Sequence, residues 1–137
     1  MKVDGGCQCG QVTYEAEIDS DKVGICHCSD CQAFSGSAFR VGVPGRADGF
    51  KLLSGKPKTY VKTAESGGKR AQVFCPNCGT HLYATAADPA AAREYRIRLG
   101  TIRQRHRLTP SMQIWCRSAL PWAVLDGIPQ LEKQDRG

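Results

Sequence analysis

The stretch Cys75-Pro76-Asn77-Cys78-Gly79 places two cysteines three positions apart and follows them with a glycine. This arrangement is typical of a zinc knuckle, in which two thiolates hold one ion and the glycine permits the next turn. A second close pair, Cys7-Gln8-Cys9-Gly10, lies near the start of the chain. Because structural zinc takes four ligands, we predict one closed site formed by Cys7, Cys9, Cys75 and Cys78. This site would join the first strand to a mid-chain hairpin.

Three further cysteines fall within the six residues Cys26-His27-Cys28-Ser29-Asp30-Cys31. One loop can direct three thiolates at a single ion, and tetrahedral zinc then keeps one open coordination position, as catalytic zinc does. Cys26, Cys28 and Cys31 therefore predict a second, open zinc site. The alternative is a second structural site completed by Cys116 or a histidine, and the sequence leaves both open. With both sites filled, the chain would hold two zinc ions.

The composition is that of one mainly globular domain. The chain has 137 residues, 41% of them hydrophobic, and we predict a single domain over residues 1–131 with a flexible tail over 132–137. No apolar run approaches the ~20 residues that span a membrane, and the N-terminus does not resemble a signal peptide, so we expect a cytoplasmic location and no membrane partner.

The net charge does not by itself indicate nucleic-acid binding. The formal charge of +6 omits metal, and a four-thiolate zinc contributes −2 while a three-thiolate zinc contributes −1. With both zinc sites occupied, the protein would then carry a net charge of roughly +3, which is only mildly basic. Nucleic acid is therefore not expected as the partner, and the oligomeric state cannot be read from the sequence.

Short alternating segments separated by glycine and proline turns predict a mainly β fold, either a sandwich or an open barrel, with few short helices. One helical turn is expected over Ser29–Phe34, capped by Ser29 or Asp30, and another over Pro89–Glu94, capped by Asp88. The predicted strands are Gln11–Ile18, Phe39–Val43, Phe50–Leu53, Thr59–Val61, Gln72–Phe74, His81–Ala84, Tyr95–Leu99 and Gln113–Trp115.

The same cysteine segments resemble those of the glutathione-dependent formaldehyde-activating family, also called the Gfa or CENP-V family. The matching segments run in the family's order and cover most of the chain; they are Gly6–Gly10 with Val12 and Tyr14, Cys26–Cys31 with Ser35–Phe39, Phe74–Leu82, Leu99–Thr101 and Ser118–Trp122. The chain departs from the family pattern at Ile102-Arg103, where members often have an acidic residue, and at Gln113, where they often have a histidine.

The resemblance implies a zinc-stapled β fold of the Mss4-like type, a structural zinc on the first four cysteines and a second zinc on the triple. It also implies an activity classed as a carbon–sulfur lyase, which joins formaldehyde to glutathione, with S-hydroxymethylglutathione as the adduct and glutathione as co-substrate. The alternative function is a non-catalytic zinc module that binds protein or nucleic acid. Arg40 is our candidate for holding a carboxylate of a small thiol, and no catalytic residue is assigned.

The sequence permits two interpretations for several other side chains. His27 is either a general base or a residue pointing away from the triple, and His81 is either packed or a ligand. Phe34 and Phe39 either line a pocket or fill the core. Six arginines between Arg93 and Arg107 form either a solvated strand face or an anion-binding surface.

Overall fold

A computed structural model describes residues 1–134 of the chain. It contains one α-helix, α1 (Ser29–Ser35), and short 3-10 turns between strands. The ten strands are β1 (Lys2–Gly6), β2 (Thr13–Glu17), β3 (Gly24–Cys26), β4 (Arg40–Arg46), β5 (Lys51–Ser54), β6 (Lys58–Thr63), β7 (Lys69–Phe74), β8 (His81–Ala86), β9 (Glu94–Arg98) and β10 (Met112–Ile114).

The strands form two sheets. The smaller has the order β1-β2-β5 and the larger has the order β10-β3-β4-β9-β8-β7-β6. All pairings are antiparallel except that of β10 with β3. The prediction of a mainly β fold is thus confirmed, and within residues 1–134 the strands close no barrel.

A single apolar core joins the two sheets. Val12 and Tyr14 on the side of the smaller sheet share one buried cluster with Val43 and Ile97 of the larger sheet. Phe50 extends this core, because its ring is stacked on that of Tyr14 at 5.0 Å and makes tilted contacts with two tyrosines of the larger sheet. Burying these side chains supplies the main apolar stabilisation of the fold.

The face of the larger sheet that points away from this core carries several polar residues. Opposite residues of an antiparallel pair lie on the same face, and alternate residues of one strand do so too. Cys26 is opposite Arg40, and Gly42 is opposite Arg98. One face therefore carries Cys26, Arg40, Gly42 and Arg98. Helix α1 connects β3, which ends at Cys26, with β4, which begins at Arg40.

The structure corrects the predicted helices in detail. Helix α1 extends over Ser29–Ser35 and ends at Gly36 with φ 61°, but its N-cap is Cys28 and not Ser29 or Asp30. The Cys28 thiol takes the role usually filled by a hydroxyl or carboxylate. The second segment is only a 3-10 turn over Pro89–Ala91, capped by Asp88 as predicted, because the chain enters β9 at Glu94.

The described part of the predicted tail is hydrogen bonded to the body of the protein. The backbone N–H of Trp115 donates to the carbonyl of Lys133, and that of Arg117 donates to the carbonyl of Glu132. Residues 135–137 of the predicted tail lie outside the described residues. No helix within residues 1–134 is long and apolar enough to cross a membrane.

Candidate metal centres and the adjoining pocket

The first cysteine cluster lies where two turns meet. Cys7 and Cys9 come from the turn between β1 and β2, and Cys75 and Cys78 come from the turn between β7 and β8. The four sulfurs all lie within 4.8 Å of one another, with Cys7 and Cys9 at 3.5 Å and Cys9 and Cys75 at 3.8 Å. Tetrahedral zinc with Zn–S bonds of about 2.3 Å separates its sulfurs by about 3.8 Å. The four thiols therefore fit a zinc ion.

Local hydrogen bonds orient two of these thiols, Cys7 and Cys78, and favour their ionised form. The backbone N–H of Val12 donates to the Cys7 sulfur at 3.2 Å. The Thr80 hydroxyl lies 3.1 Å from the Cys78 sulfur, and with the Thr80 backbone N–H it lowers the pKa of Cys78 to about 5. Since metal binds the thiolate and not the thiol, a lowered pKa reduces the proton competition against the metal.

The second cluster is built on the end of β3 and the start of α1. Cys26 ends the strand, Cys28 caps the helix and Cys31 lies in its first turn, and their three sulfurs lie within 4.8 Å of one another. The neighbouring thiols of Cys26 and Cys31, together with the Cys31 backbone N–H that donates to the Cys28 sulfur at 3.3 Å, place the pKa of Cys28 below its ordinary value, and the pKa of Cys26 lies above its own. The chemistry of this donor set also fits zinc.

Within residues 1–134, no histidine, cysteine or carboxylate completes this second cluster as a fourth ligand. Cys116, one of the candidates for that role, instead has its sulfur 3.7 Å from the carbonyl of Gln113. Three converging thiols without a fourth protein ligand match the open site that the cysteine spacing predicts. Zinc ligation itself stays a prediction at both clusters.

His27 lies between two of these cysteines but its ring is turned into the interior. The side chain is fully buried, and its Nε2 lies 3.0 Å from Oε1 of Gln113. The Gln113 amide is fixed in turn, since it accepts from the backbone N–H of Leu125 and donates to the carbonyls of Leu125 and Ile128. Of the two interpretations of His27, the structure supports the one in which it points away from the cysteines.

A pocket of about 860 Å³ reaches the first cluster and is lined in part by residues of α1, the helix whose first turn carries Cys31 of the second cluster. Phe34 and Phe39 line it, which supports their interpretation as pocket walls, and Cys7 reaches it from the first cluster. The second cluster's cysteines do not line it directly. The remaining lining residues are Gly5, Gly6, Gln8, Gly10, Thr13, Ser35, Arg40, Val41, Gly79, Thr80, His81, Arg98, Leu99, Gly100, Thr101, Arg103 and Arg105.

Two arginines connect the pocket with the second cluster. Arg40 and Arg98 both line the pocket, and the charge of Arg40 acts on the Cys31 thiol while Cys31 and Cys26 act on Arg98. Both side chains are buried. The solvated-face interpretation is therefore wrong for Arg98. No feature of the local sequence distinguishes Arg98 from its exposed neighbours.

His81 is packed against aromatic rings at the pocket wall. Its ring lies 5.3 Å from that of Phe34 and 5.9 Å from that of Phe74, and it belongs to neither cysteine cluster. Burial lowers the pKa of His81, and the charges of Arg40 and Arg98 lower it further. His81 is therefore neutral at neutral pH and adds no charge to the pocket.

We expect freshly purified protein to contain two zinc ions per chain. The second ion should be removed first by a mild chelator, because three protein ligands hold an ion less tightly than four. Elemental analysis combined with thiol titration measures both quantities. With both sites filled, only Cys116 among the eight cysteines should react rapidly. A single ion together with four reactive thiols in fresh protein would contradict the expected second ion.

Comparison with known proteins agrees with this arrangement. The sequence pattern of the glutathione-dependent formaldehyde-activating enzyme family matches residues 2–118. A curated relative from Schizosaccharomyces pombe, described as an uncharacterized lyase, is 31% identical over 86 residues, which cover 58% of this chain and 55% of that protein. The alignment thus spans about half the length of the relative.

The fold also has a solved counterpart. A crystal structure of a Rhodobacter sphaeroides protein matches with a TM-score of 0.58 and 17% identity, over 93% of this chain and 98% of that one. At this identity the likeness concerns the fold alone. The family pattern, in contrast, covers most of the chain and includes every residue of both cysteine clusters. The chain therefore belongs to the glutathione-dependent formaldehyde-activating enzyme family.

Proposed function

We propose that the protein is a zinc-dependent carbon–sulfur lyase that acts on an adduct of glutathione or of a similar small thiol, such as S-hydroxymethylglutathione. The observation that carries this proposal is the cluster of Cys26, Cys28 and Cys31, which has no fourth protein ligand in the described chain and lies beside Arg40, a lining residue of a basic pocket. Family membership and the lyase-named relative support a glutathione-related lyase in general; the particular adduct is our proposal.

In the proposed reaction the adduct loses formaldehyde. The hydroxyl group gives up its proton to solvent, the oxygen forms a carbonyl with the hydroxymethyl carbon, and the electrons of the broken carbon–sulfur bond stay on sulfur as a thiolate. Zinc held by Cys26, Cys28 and Cys31 would supply an open coordination position that favours the thiolate form of a ligand. A soft sulfur ligand suits a metal that is already surrounded by thiolates.

The chain's own residues would orient the substrate. Phe34 and Phe39 provide apolar walls, and Phe34 is one helical turn from Cys31. The Arg40 guanidinium lies over the Phe34 ring at 5.0 Å and donates to Oε1 of Gln72 at 3.0 Å, so its position is fixed. Arg40 can thus present a preorganised charge to a substrate carboxylate beside the second cluster.

Titration with glutathione and S-methylglutathione tests the proposal. We expect zinc-loaded protein to bind glutathione at least about tenfold more tightly than the S-methyl compound, because methylation removes the thiolate. Protein stripped of its second ion should lose this preference, and isothermal titration calorimetry measures both affinities. Equal affinity for both ligands, with and without the second zinc ion, would contradict thiol capture. The non-catalytic zinc module would then be the better hypothesis.

A small-molecule thiol as partner and a cytoplasmic location remain predictions. If the protein were instead a nucleic-acid module, its binding to duplex DNA would fall steeply with salt, because phosphate contacts release counterions. Measuring that salt dependence beside the thiol titration separates the two classes of function.

A further inference from the structure

Arg98 is a buried charge without a partner in the described chain. It lies at the end of β9, the residue is only 7% exposed, and its side chain lines the pocket. Among residues 1–134, the Arg98 guanidinium forms no hydrogen bond or ion pair with an acidic residue. Burial and the nearby charge of Arg40 lower the pKa of Arg98. Buried charges in folded proteins are normally paired, so this arrangement points to a missing anion.

Arg40 adds a second unsatisfied group to the same place. It is 8% exposed, and although its Nη1 donates to Gln72, its Nε is buried with no hydrogen-bond partner. The absence of a side chain at Gly42 leaves room for Arg96 and Arg98, since a Cβ there would lie 2.6 Å from Cγ of Arg96 and 3.3 Å from Nη1 of Arg98. Two guanidinium groups with free donors therefore meet at one wall of the pocket.

The second cluster does not neutralise both arginines. Three thiolates and one divalent ion carry a net charge of −1, which balances one of the two guanidinium charges and leaves the other uncompensated. No aspartate or glutamate lines the pocket, while Arg103 and Arg105 stand at its rim. Arg103 is paired with Asp4 at 2.9 Å, but that carboxylate does not belong to the pocket lining.

We propose that Arg40 and Arg98 form a carboxylate-binding site, and that the pocket selects thiols by their negative charge. The ligand class is a small thiol bearing one or more carboxylates, and a thiol with an unpaired ammonium group is disfavoured, because no acidic side chain lines the pocket to receive it. A carboxylate fits because guanidinium donors bind its two oxygens together. This inference rests on the proposed function for the thiol, but the carboxylate site stands on the arginines alone.

A series of small thiols that differ in charge tests the inference. The probes are mercaptosuccinate with two carboxylates, 3-mercaptopropionate with one, 2-mercaptoethanol with none, and cysteamine with an ammonium group. We expect affinity for the zinc-loaded protein to fall in that order, with a difference of about tenfold or more between 3-mercaptopropionate and 2-mercaptoethanol. Calorimetry under anaerobic conditions measures each affinity.

The variant Arg98→Met removes the charge and keeps an unbranched side chain of similar length. It should fold, since an apolar residue replaces a buried charge without leaving a partner unpaired. We expect it to keep its two metal ions and its affinity for 2-mercaptoethanol, and to lose most of the tenfold preference for 3-mercaptopropionate. The matched control is Arg96→Met, because Arg96 lies on the same strand and face, pairs with Glu94 at 3.4 Å and does not line the pocket. The control should keep the preference.

The outcomes separate this inference from the proposed function. Equal affinities for charged and uncharged thiols, or an equal loss for both in Arg98→Met, would overturn the carboxylate site while leaving thiol capture in place. Loss of the second metal ion in Arg98→Met would also overturn it, because the arginine would then serve the metal centre. If no thiol binds but succinate does so in an Arg98-dependent way, the carboxylate site stands and thiol capture falls. Should Arg98→Met fail to fold, the thiol series on the unmodified protein still shows whether the pocket prefers thiols that carry a carboxylate.

Discussion

Cys75→Ser is expected to leave most of the protein unfolded at room temperature. Cys75 is completely buried, and its thiol belongs to the four-sulfur cluster that joins the β1–β2 turn to the β7–β8 turn. Structural zinc contributes about 10–16 kcal/mol of binding free energy in zinc-finger peptides, whereas a whole domain is stable by only about 5–15 kcal/mol. Circular dichroism and thermal unfolding of the purified variant measure the effect.

Cys116→Ser is the matched control for this substitution. Cys116 lies outside both clusters, and its thiol makes only a long contact of 3.7 Å with the carbonyl of Gln113. We expect its free energy of unfolding to change by about 1 kcal/mol or less. A Cys75→Ser protein that is folded, and nearly as stable as this control, would show that the first cluster does not hold the fold together.

The cysteine clusters could be predicted because their information is local. Each pair or triple occupies a few consecutive residues, and the number of ligands that zinc requires then limits how the groups combine. The structure brings together the same four sulfurs and the same three sulfurs that the spacing selected. The strands with regular alternation, such as Tyr95–Leu99, could also be located, with boundaries displaced by one or two residues.

Two strands could not be predicted because their sequences do not look like strands. β1 ends in Gly5 and Gly6, which usually indicate a turn, yet Gly5 is required where the chain passes Thr101 closely. A Cβ at Gly5 would lie 2.0 Å from the carbonyl oxygen of Thr101. β3 has only three residues and exists because β4 and β10 pair with it on both sides. Tertiary contacts decide both strands, and local propensity does not.

The burial and contacts of the polar residues beside the second cluster also could not be predicted from the sequence. Arg98 alternates with apolar neighbours, a pattern that usually places the charged residue in water, but here the residue is buried at the pocket wall. The contact of His27 with Gln113 joins residues 86 positions apart in sequence. The Gln113 side chain supplies the acceptor for this buried imidazole.

Cys28→Ser is expected to separate metal binding at the second cluster from folding. The substitution removes one of three metal ligands, so zinc content should fall from two ions per chain to one, and the glutathione preference over S-methylglutathione should disappear. Folding should survive, because Cys28 caps α1 through a bond from the Cys31 backbone N–H at 3.3 Å. A serine hydroxyl is among the best acceptors at this position, so the helix keeps its cap. Elemental analysis, calorimetry and thermal unfolding measure the three effects.

Cys28→Ala provides the matched comparison, because alanine removes both the ligand and the cap. Loss of a helix cap costs about 1 kcal/mol, so the alanine variant should be less stable than the serine variant by roughly that amount while losing the same ion. Since α1 contributes few residues to the core, neither variant should unfold as Cys75→Ser does. If Cys28→Ser unfolds to the same extent as Cys75→Ser, then both clusters are structural, the open coordination position does not exist and the proposed lyase chemistry loses its site.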